Sequence, residues 1–171
     1  RGKPLDLFPA FVPETITIPN GFNPNKPSQK GYPMYNYMTK DGFPRSRNLR
    51  QMLFYFKHLI FIRELLKESQ NEIPDILNKI IFDLGQNYSL FLKNNSTSYL
   101  FNGNQENNNE DFDKYLTNRG YKFKKQNCDV GGYILLNDKK YSLIMDLGRS
   151  PEKEFSSSYQ AGALSFEFNY L

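Results

Sequence analysis

The sequence predicts an α+β fold in which helices are followed by an antiparallel β-sheet. Three observations predict it. Apolar residues recur at helical spacing between positions 45 and 93. They alternate with polar residues, as in half-buried strands, in segments between positions 132 and 170. A stretch rich in Asn, from Asn94 to Asn109, separates the two patterns and marks a change from helix to turn and strand.

Two helices are predicted in the first part. The first runs from Arg45 to Glu68, with Ser46 as its N-cap. The second runs from Pro74 to Lys93, and its proline suits the first turn of a helix. Because only Ser69 to Ile73 separate them, we expect an antiparallel helical hairpin. The apolar stripes consist of Leu49, Met52, Leu53, Phe56, Ile60 and Leu65 in the first helix and Leu77, Ile80, Ile81, Leu84, Tyr88 and Phe91 in the second.

The second part is expected to form strands. A short strand is predicted at Tyr99 to Phe101, and a brief helix at Glu110 to Asn118. The residues at 137–140 (NDKK) form a turn signal that joins two later strands as a hairpin. The three later strands are predicted at Gly132 to Leu136, Tyr141 to Asp146 and Ala161 to Tyr170.

The first 39 residues differ from the rest because they hold seven of the ten prolines. Proline removes a backbone donor and breaks helices, so an extended, loop-like segment is expected. Its tyrosines, Tyr32, Tyr35 and Tyr37, either line a sugar site or dock the segment onto the rest of the protein. The docking interpretation is the more common one for such residues.

Composition narrows the class of protein and the kind of partner. Hydrophobic residues make up 39% of the chain and aromatic residues 16%, which argues against a disordered protein. The net charge of +4 favours an anionic partner, whether polysaccharide, nucleic acid or lipid headgroup. Cys128, the one cysteine, has no partner for an internal disulfide. No apolar run has the length of a membrane span, so membrane insertion is not expected.

Sequence motifs identify no cofactor. His58, the one histidine, lies within the first predicted helix without a second ligand placed to complete a metal site, and we expect it to be packed or half-exposed. The chain has no G-x-G-x-x-G, P-loop or C-x-x-C motif. It starts without Met and ends in the alternating segment Ser165 to Leu171, so we expect it to be part of a longer protein. A divalent metal in that longer protein stays open.

Four motifs, in order, resemble those of bacterial heparinase II/III-like proteins. The segment from Lys40 to Asn48 (KDGFPRSRN) resembles the family's "DGG-H-x-SRNP". Phe101-Asn102-Gly103 with Glu106 resembles "FNG-x-x-E", and Leu143 to Gly148 resembles a "hydrophobic-D-x-G" strand. The fourth motif, Tyr159 to Glu167 (YQAGALSFE), resembles "HAGTLSFE".

This resemblance implies a fold and an activity. Family members have an (α/α) toroid followed by an antiparallel β-sandwich, which implies that residues 40–97 end a toroid and that residues 98–171 begin a sandwich. Residues 1–39 keep an unclear role. Members of known activity are lyases that cut acidic, uronate-containing polysaccharides by β-elimination. A bacterial protein is implied, in either the periplasm or the cytoplasm.

The chemistry of β-elimination indicates which residues of the motifs could act. The uronate carboxylate must be neutralised by donors such as Asn, Gln or Arg, or by a metal. The resemblance gives Arg47, Asn48, Asn102 and Gln160 this substrate-binding role. A base must remove the proton next to the carboxylate. The family's motif histidines are replaced here by Pro44 and Gln160, which leaves Tyr159 as the candidate catalytic base.

Each of these residues has a structural alternative. Arg47 and Asn48 could cap the helix and hold a carboxylate such as Asp41, and Asn102-Gly103 could form a tight turn. The missing histidines also leave open a non-catalytic carbohydrate-binding or structural member of the family. Nucleic-acid binding is a remote alternative, suggested by the alternating aromatic and basic residues of 121–125 (YKFKK). An edge strand with one solvated face has the same pattern, so no nucleic-acid partner is expected.

Overall fold

A computed structural model describes residues 37–92, 99–100, 109–123, 129–138, 140–159 and 164–170. In these ranges three helices and a four-stranded antiparallel sheet are present, which confirms the predicted mixture of helix and sheet. The described residues all belong to one compact unit, Tyr32–Leu171. Among them, no helix has both the length and the apolar character needed to cross a bilayer.

Helix α1 spans Leu49–Glu68 and begins four residues later than predicted. Arg47 has a φ of 56°, in the left-handed region, so a right-handed helix cannot start before it. Asn48 is the N-cap, since its side chain accepts a hydrogen bond of 2.9 Å from the Gln51 N–H. The prediction of Ser46 as N-cap is therefore wrong. Leu65, predicted to be in the core, is 48% exposed, and Leu59 is buried in the core instead.

Helix α2 spans Asp75–Leu90 and packs antiparallel to α1, as expected. Pro74 is its N-cap rather than part of its first turn, and Phe91 ends it before the predicted Lys93. The antiparallel arrangement follows from two contacts. Late in α1, Arg63 Nε donates to Asn78 Oδ1 early in α2 at 2.8 Å. In the middle of α1, the Phe56 ring packs 5.2 Å from the Tyr88 ring near the end of α2.

Helix α3, Glu110–Asn118, occurs where the sequence predicts it. It contacts the hairpin through Phe112, whose ring packs edge-on against Phe56 and Tyr88 with centroid distances of 5.6 and 5.7 Å. The Tyr88 hydroxyl donates to Asp113 Oδ1 at 2.6 Å. Burial, together with this neighbouring carboxylate, raises the pKa of Tyr88. Tyr88 therefore acts as a neutral donor that fixes α3 onto α2.

The sheet follows with consecutive strands as neighbours. Its second and third strands match the predictions closely, whereas the last begins at Phe166, because Leu164 and Ser165, within the predicted strand, form a turn and a non-strand residue. The hairpin between the strands Tyr133–Asn137 and Tyr141–Asp146 closes through a 2.9 Å bond from the Asp138 N–H to the Tyr141 carbonyl. Tyr99 and Leu100, predicted as part of a strand, lie outside any strand. The strands are β1 Asp129–Val130, β2 Tyr133–Asn137, β3 Tyr141–Asp146 and β4 Phe166–Tyr170. A short 3₁₀ helix, Lys153–Ser158, lies between β3 and β4.

The two faces of the sheet differ in exposure. The inner face is buried and includes Tyr133, Leu135, Ile144 and Asp146. Aromatic packing connects it to the helices, because the Phe43 ring lies 5.4 Å from Phe91 and 5.9 Å from Tyr133. The outer face is exposed although it is apolar, and it includes Leu136, Tyr141, Phe166, Phe168 and Tyr170.

Candidate functional site

The loop before α1, which contains the first motif, is a tight, anchored turn. The Thr39 N–H donates to the Phe43 carbonyl at 2.7 Å, and the Arg45 N–H donates to the Tyr37 carbonyl at 2.9 Å. Gly42 has a φ of 67°, and a Cβ there would lie 2.4 Å from Asp83 Cβ. Glycine is thus required for both conformation and space. From α2, Asn87 Nδ2 donates to the Gly42 carbonyl at 2.9 Å and holds the turn in place.

This turn directs Arg47 into the sheet. Its Nε donates to the Gly131 carbonyl at 2.8 Å, and its Nη1 donates to the Arg149 carbonyl at 2.9 Å. Its Nη2 forms an ion pair with Asp146 Oδ1, and the Asp146 side chain is fully buried. The sequence offered, as a structural alternative, a salt bridge from Arg47 to a carboxylate such as Asp41. The salt bridge is present, but its carboxylate is Asp146 of β3 and not Asp41.

Two glycines make room for the guanidinium. A Cβ on Gly148 would lie 2.5 Å from Arg47 Cζ, and a Cβ on Gly132 would lie 2.6 Å from the Gly148 Cα. Gly148 also donates its N–H to Asp146 Oδ1 at 3.1 Å. The D-x-G motif that begins at the last residue of β3 therefore has a physical explanation, since its Asp holds Arg47 and its Gly allows Arg47 to approach.

Two tyrosines flank the same guanidinium. The Tyr133 ring centroid lies 4.8 Å from Arg47 Cζ, and the Tyr133 hydroxyl donates to the Arg47 carbonyl at 2.8 Å. Tyr159, the candidate base, lies just after the 3₁₀ helix, and its hydroxyl is 3.4 Å from Arg47 Nη1. The structure therefore brings the predicted residues Arg47 and Tyr159 together, although 112 positions separate them.

Every N–H of the Arg47 guanidinium has an acceptor in the described part of the chain. A guanidinium has five N–H groups. Four of their acceptors are described above, and the fifth is the Gly132 carbonyl, 3.4 Å from Nη2. Arg47 is only 7% exposed. In this conformation the guanidinium organises the protein itself, and a ligand carboxylate could bind it only by replacing one of the two 3.4 Å contacts.

Asn48 is likewise buried, at 8% exposure, and its side-chain oxygen caps α1. Of the other predicted binding residues, Asn102 and Gln160 lie outside the described residues. Sequence reasoning did not identify Asp146 as a functional residue, although the D-x-G motif contained the signal. Asp146 Oδ2 is buried and accepts no hydrogen bond from the described residues.

The described ranges contain no cluster of three or more His, Cys, Asp or Glu side chains arranged to hold a metal ion. His58 packs against Phe54, with 4.0 Å between the ring centroids, and its Nδ1 lies 2.8 Å from the Phe54 carbonyl oxygen. In comparisons with known proteins, no family model matches the chain, and no curated protein or solved structure is significantly similar to it.

Proposed function

We propose that this chain is part of a heparinase II/III-like polysaccharide lyase, or a relative of such lyases, that acts on acidic, uronate-containing polysaccharides by β-elimination. Its helices would end an (α/α) toroid, and its strands would begin a β-sandwich. The substrate would lie where the loop before α1 meets the sheet.

One observation carries the proposal, namely the meeting of three separate motifs around one guanidinium. Arg47 comes from the first motif, Asp146 and Gly148 from the third, and Tyr159 from the fourth. Segments that are distant in the chain but meet at one buried cluster are typical of a functional site or of the scaffold beneath one.

In the proposed reaction, the Tyr159 side-chain oxygen is the base that takes the proton from the carbon next to the uronate carboxylate. The electron pair of that C–H bond forms the new C=C bond, the C–O bond to the neighbouring sugar breaks, and an acid protonates the leaving oxygen. Arg47 donates towards the Tyr159 hydroxyl and so orients it. Since Arg47 and Asn48 are both engaged inside the protein, we assign them to holding this geometry, and Asn102 and Gln160 to the substrate carboxylate.

A second candidate function is a non-catalytic, carbohydrate-binding or structural member of the same family. The specific observation in its favour is the burial of Arg47 and Asn48, whose side chains serve the fold. The motif histidines are also absent, which removes the usual proton-transfer groups. A protein of this kind would bind uronate chains and leave them intact.

Turnover separates the two candidates. We expect the full-length protein to increase ultraviolet absorbance when mixed with one member of a panel of uronate polysaccharides, because each cleavage creates a conjugated double bond. Tyr159→Phe should lower this rate by about 100-fold or more while binding persists, as expected for loss of a general base. Tyr170→Phe makes the same chemical change on the exposed strand β4 and should have no effect.

Binding of the polysaccharide with no gain in absorbance would support the non-catalytic function and overturn the lyase proposal. A rate that is the same in Tyr159→Phe as in the unaltered protein would remove Tyr159 from the mechanism. The absence of both binding and turnover across the panel would overturn the lyase and the carbohydrate-binding functions and leave only a structural role.

A further inference from the structure

A small aromatic and cationic surface lies beside the Arg47 cluster, and it begins with Tyr37. The Tyr37 side chain is 51% exposed, although its backbone is fixed. Its carbonyl accepts the Arg45 N–H at 2.9 Å, and the next residue, Met38, forms a β-bridge with Pro44. The turn of the first motif therefore holds Tyr37 and Arg45 side by side.

Phe155, from the 3₁₀ helix, completes this surface. Its ring packs edge-on against Tyr37 with a centroid distance of 5.9 Å and an interplanar angle of 87°. Arg45 lies over the same ring, with Cζ 4.2 Å from the centroid. Phe155 precedes Tyr159 by four residues, and Arg45 precedes Arg47 by two. The surface is thus built on the same two segments that supply the cluster.

The positive charge on this surface belongs to Arg45, which forms an exposed ion pair with Glu152. Arg45 Nη2 lies 2.8 Å from Glu152 Oε2, and the two side chains are 35% and 69% exposed. Exposed ion pairs of this type contribute little to stability, because water and salt screen them. A carboxylate from a ligand could take the place of Glu152 on Arg45 at small cost, and guanidinium groups bind carboxylates with matching two-point geometry.

A second tyrosine has its hydroxyl near that of Tyr37. Tyr55 of α1 is half-buried, and its hydroxyl accepts a 2.8 Å bond from Gln51 Nε2. Burial raises the pKa of Tyr55, and the nearby Tyr37 hydroxyl raises it further. Tyr37 therefore has one fixed aromatic neighbour in contact with it, Phe155, and this contact limits the freedom of its ring.

We propose that Tyr37, Arg45 and Phe155 form a sugar subsite that binds a uronate residue of an acidic polysaccharide. The exposed Tyr37 ring packs against the apolar C–H face of the sugar. Arg45 exchanges Glu152 for the uronate carboxylate. This inference rests on the proposed function, since it assigns one position of the same polysaccharide, beside the reacting bond. Of the two roles that the sequence left open for Tyr37, the proposal takes the sugar site.

The test is a calorimetric titration of the full-length protein with two hexasaccharides, one with uronate at every second position and one neutral. Tyr37→Ala should weaken binding of both by about tenfold, because the aromatic contact is lost. Tyr37→Phe keeps the ring and should restore the affinity. Arg45→Gln should weaken only the binding of the uronate oligosaccharide.

Glu152→Gln is the variant that tests the role of Arg45 most specifically. It removes the carboxylate that pairs with Arg45 at 2.8 Å, so the affinity for the uronate oligosaccharide should rise by about two- to fivefold, while that for the neutral one should not change. Glu154→Gln is the matched control, because it removes the same charge from an exposed side chain in the same 3₁₀ helix. An equal rise in both variants would indicate a general charge effect and overturn the role of Arg45.

The remaining outcomes separate this inference from the function on which it rests. If the unaltered protein binds the uronate oligosaccharide and Tyr37→Ala, folded by circular dichroism, binds it equally well, the subsite is wrong and the proposed function stands. If the unaltered protein binds neither this probe nor any other uronate oligosaccharide, the proposed function fails and the subsite fails with it.

Discussion

At the scale of single residues, Arg47 connects the helical and the sheet parts of the protein. Its φ of 56° is unfavourable for a residue with a Cβ, at a cost of order 1 to 3 kcal/mol. The surrounding contacts must offset that cost. The buried ion pair with Asp146 and the bonds to the Gly131 and Arg149 carbonyls do so, because each of them requires Arg47 to point into the sheet.

The ion pair leads to a prediction about stability. Arg47→Met and Asp146→Leu should each destabilise the protein by about 3 to 5 kcal/mol, because each leaves one charge buried without its partner. The double variant leaves neither charge buried, so its loss in free energy of unfolding should be clearly smaller than the sum of the losses of the two single variants. Urea unfolding followed by circular dichroism measures all three free energies.

A double variant whose loss equals that sum would mean that Arg47 and Asp146 act independently, contrary to the geometry. Arg45→Met is the matched control, since its ion pair with Glu152 is exposed. It should change the free energy of unfolding by no more than about 1 kcal/mol.

At the scale of elements, the sequence predicted which helices and strands exist better than it predicted the residues at which they begin and end. Helices α1 and α2 and strands β2 and β3 follow from periodicity, which is a local property of the chain. The start of α1 does not follow from periodicity. It depends on the left-handed backbone at Arg47, and that conformation is held by hydrogen-bond acceptors far along the chain, from Gly131 to Tyr159. The pairing with Asp146 was equally out of reach, since 99 positions separate the two residues.

The cap of α1 allows a test of what Asn48 does. Asn48→Ala should lower the free energy of unfolding by about 1 kcal/mol, because the Gln51 N–H loses its acceptor. Asn48→Asp keeps an acceptor oxygen and should preserve stability. Thermal unfolding compares the two, and uronate binding by Asn48→Asp gives a second measurement. Unchanged stability in Asn48→Ala would contradict the capping role, whereas loss of binding in a stable Asn48→Asp would give Asn48 a role in substrate recognition.

At the scale of the whole molecule, the sheet is apolar on both faces but buried on one. The inner-face residues Leu135 and Ile144 are 2% and 0% exposed, whereas Phe166 and Phe168 on the outer face are 65% and 56% exposed. Sheets with two apolar faces are typical of proteins in which a layer packs on each side. The β-sandwich in the proposed function requires such a second face.

This difference between faces gives a prediction that tests the register of the sheet. Ile144→Ser and Phe168→Ser introduce the same small polar residue on the paired strands β3 and β4, but on opposite faces. Ile144→Ser should destabilise the chain of residues 1–171 by about 3 kcal/mol or more, because it leaves a cavity and a hydroxyl in the core. Phe168→Ser should cost about 1 kcal/mol or less, chiefly through its lost stacking on Tyr141, 6.2 Å away. The free energies come from urea unfolding of this chain. Equal losses would mean that the outer face is also buried in solution, and a larger loss for Phe168→Ser would show that the two faces are assigned the wrong way round.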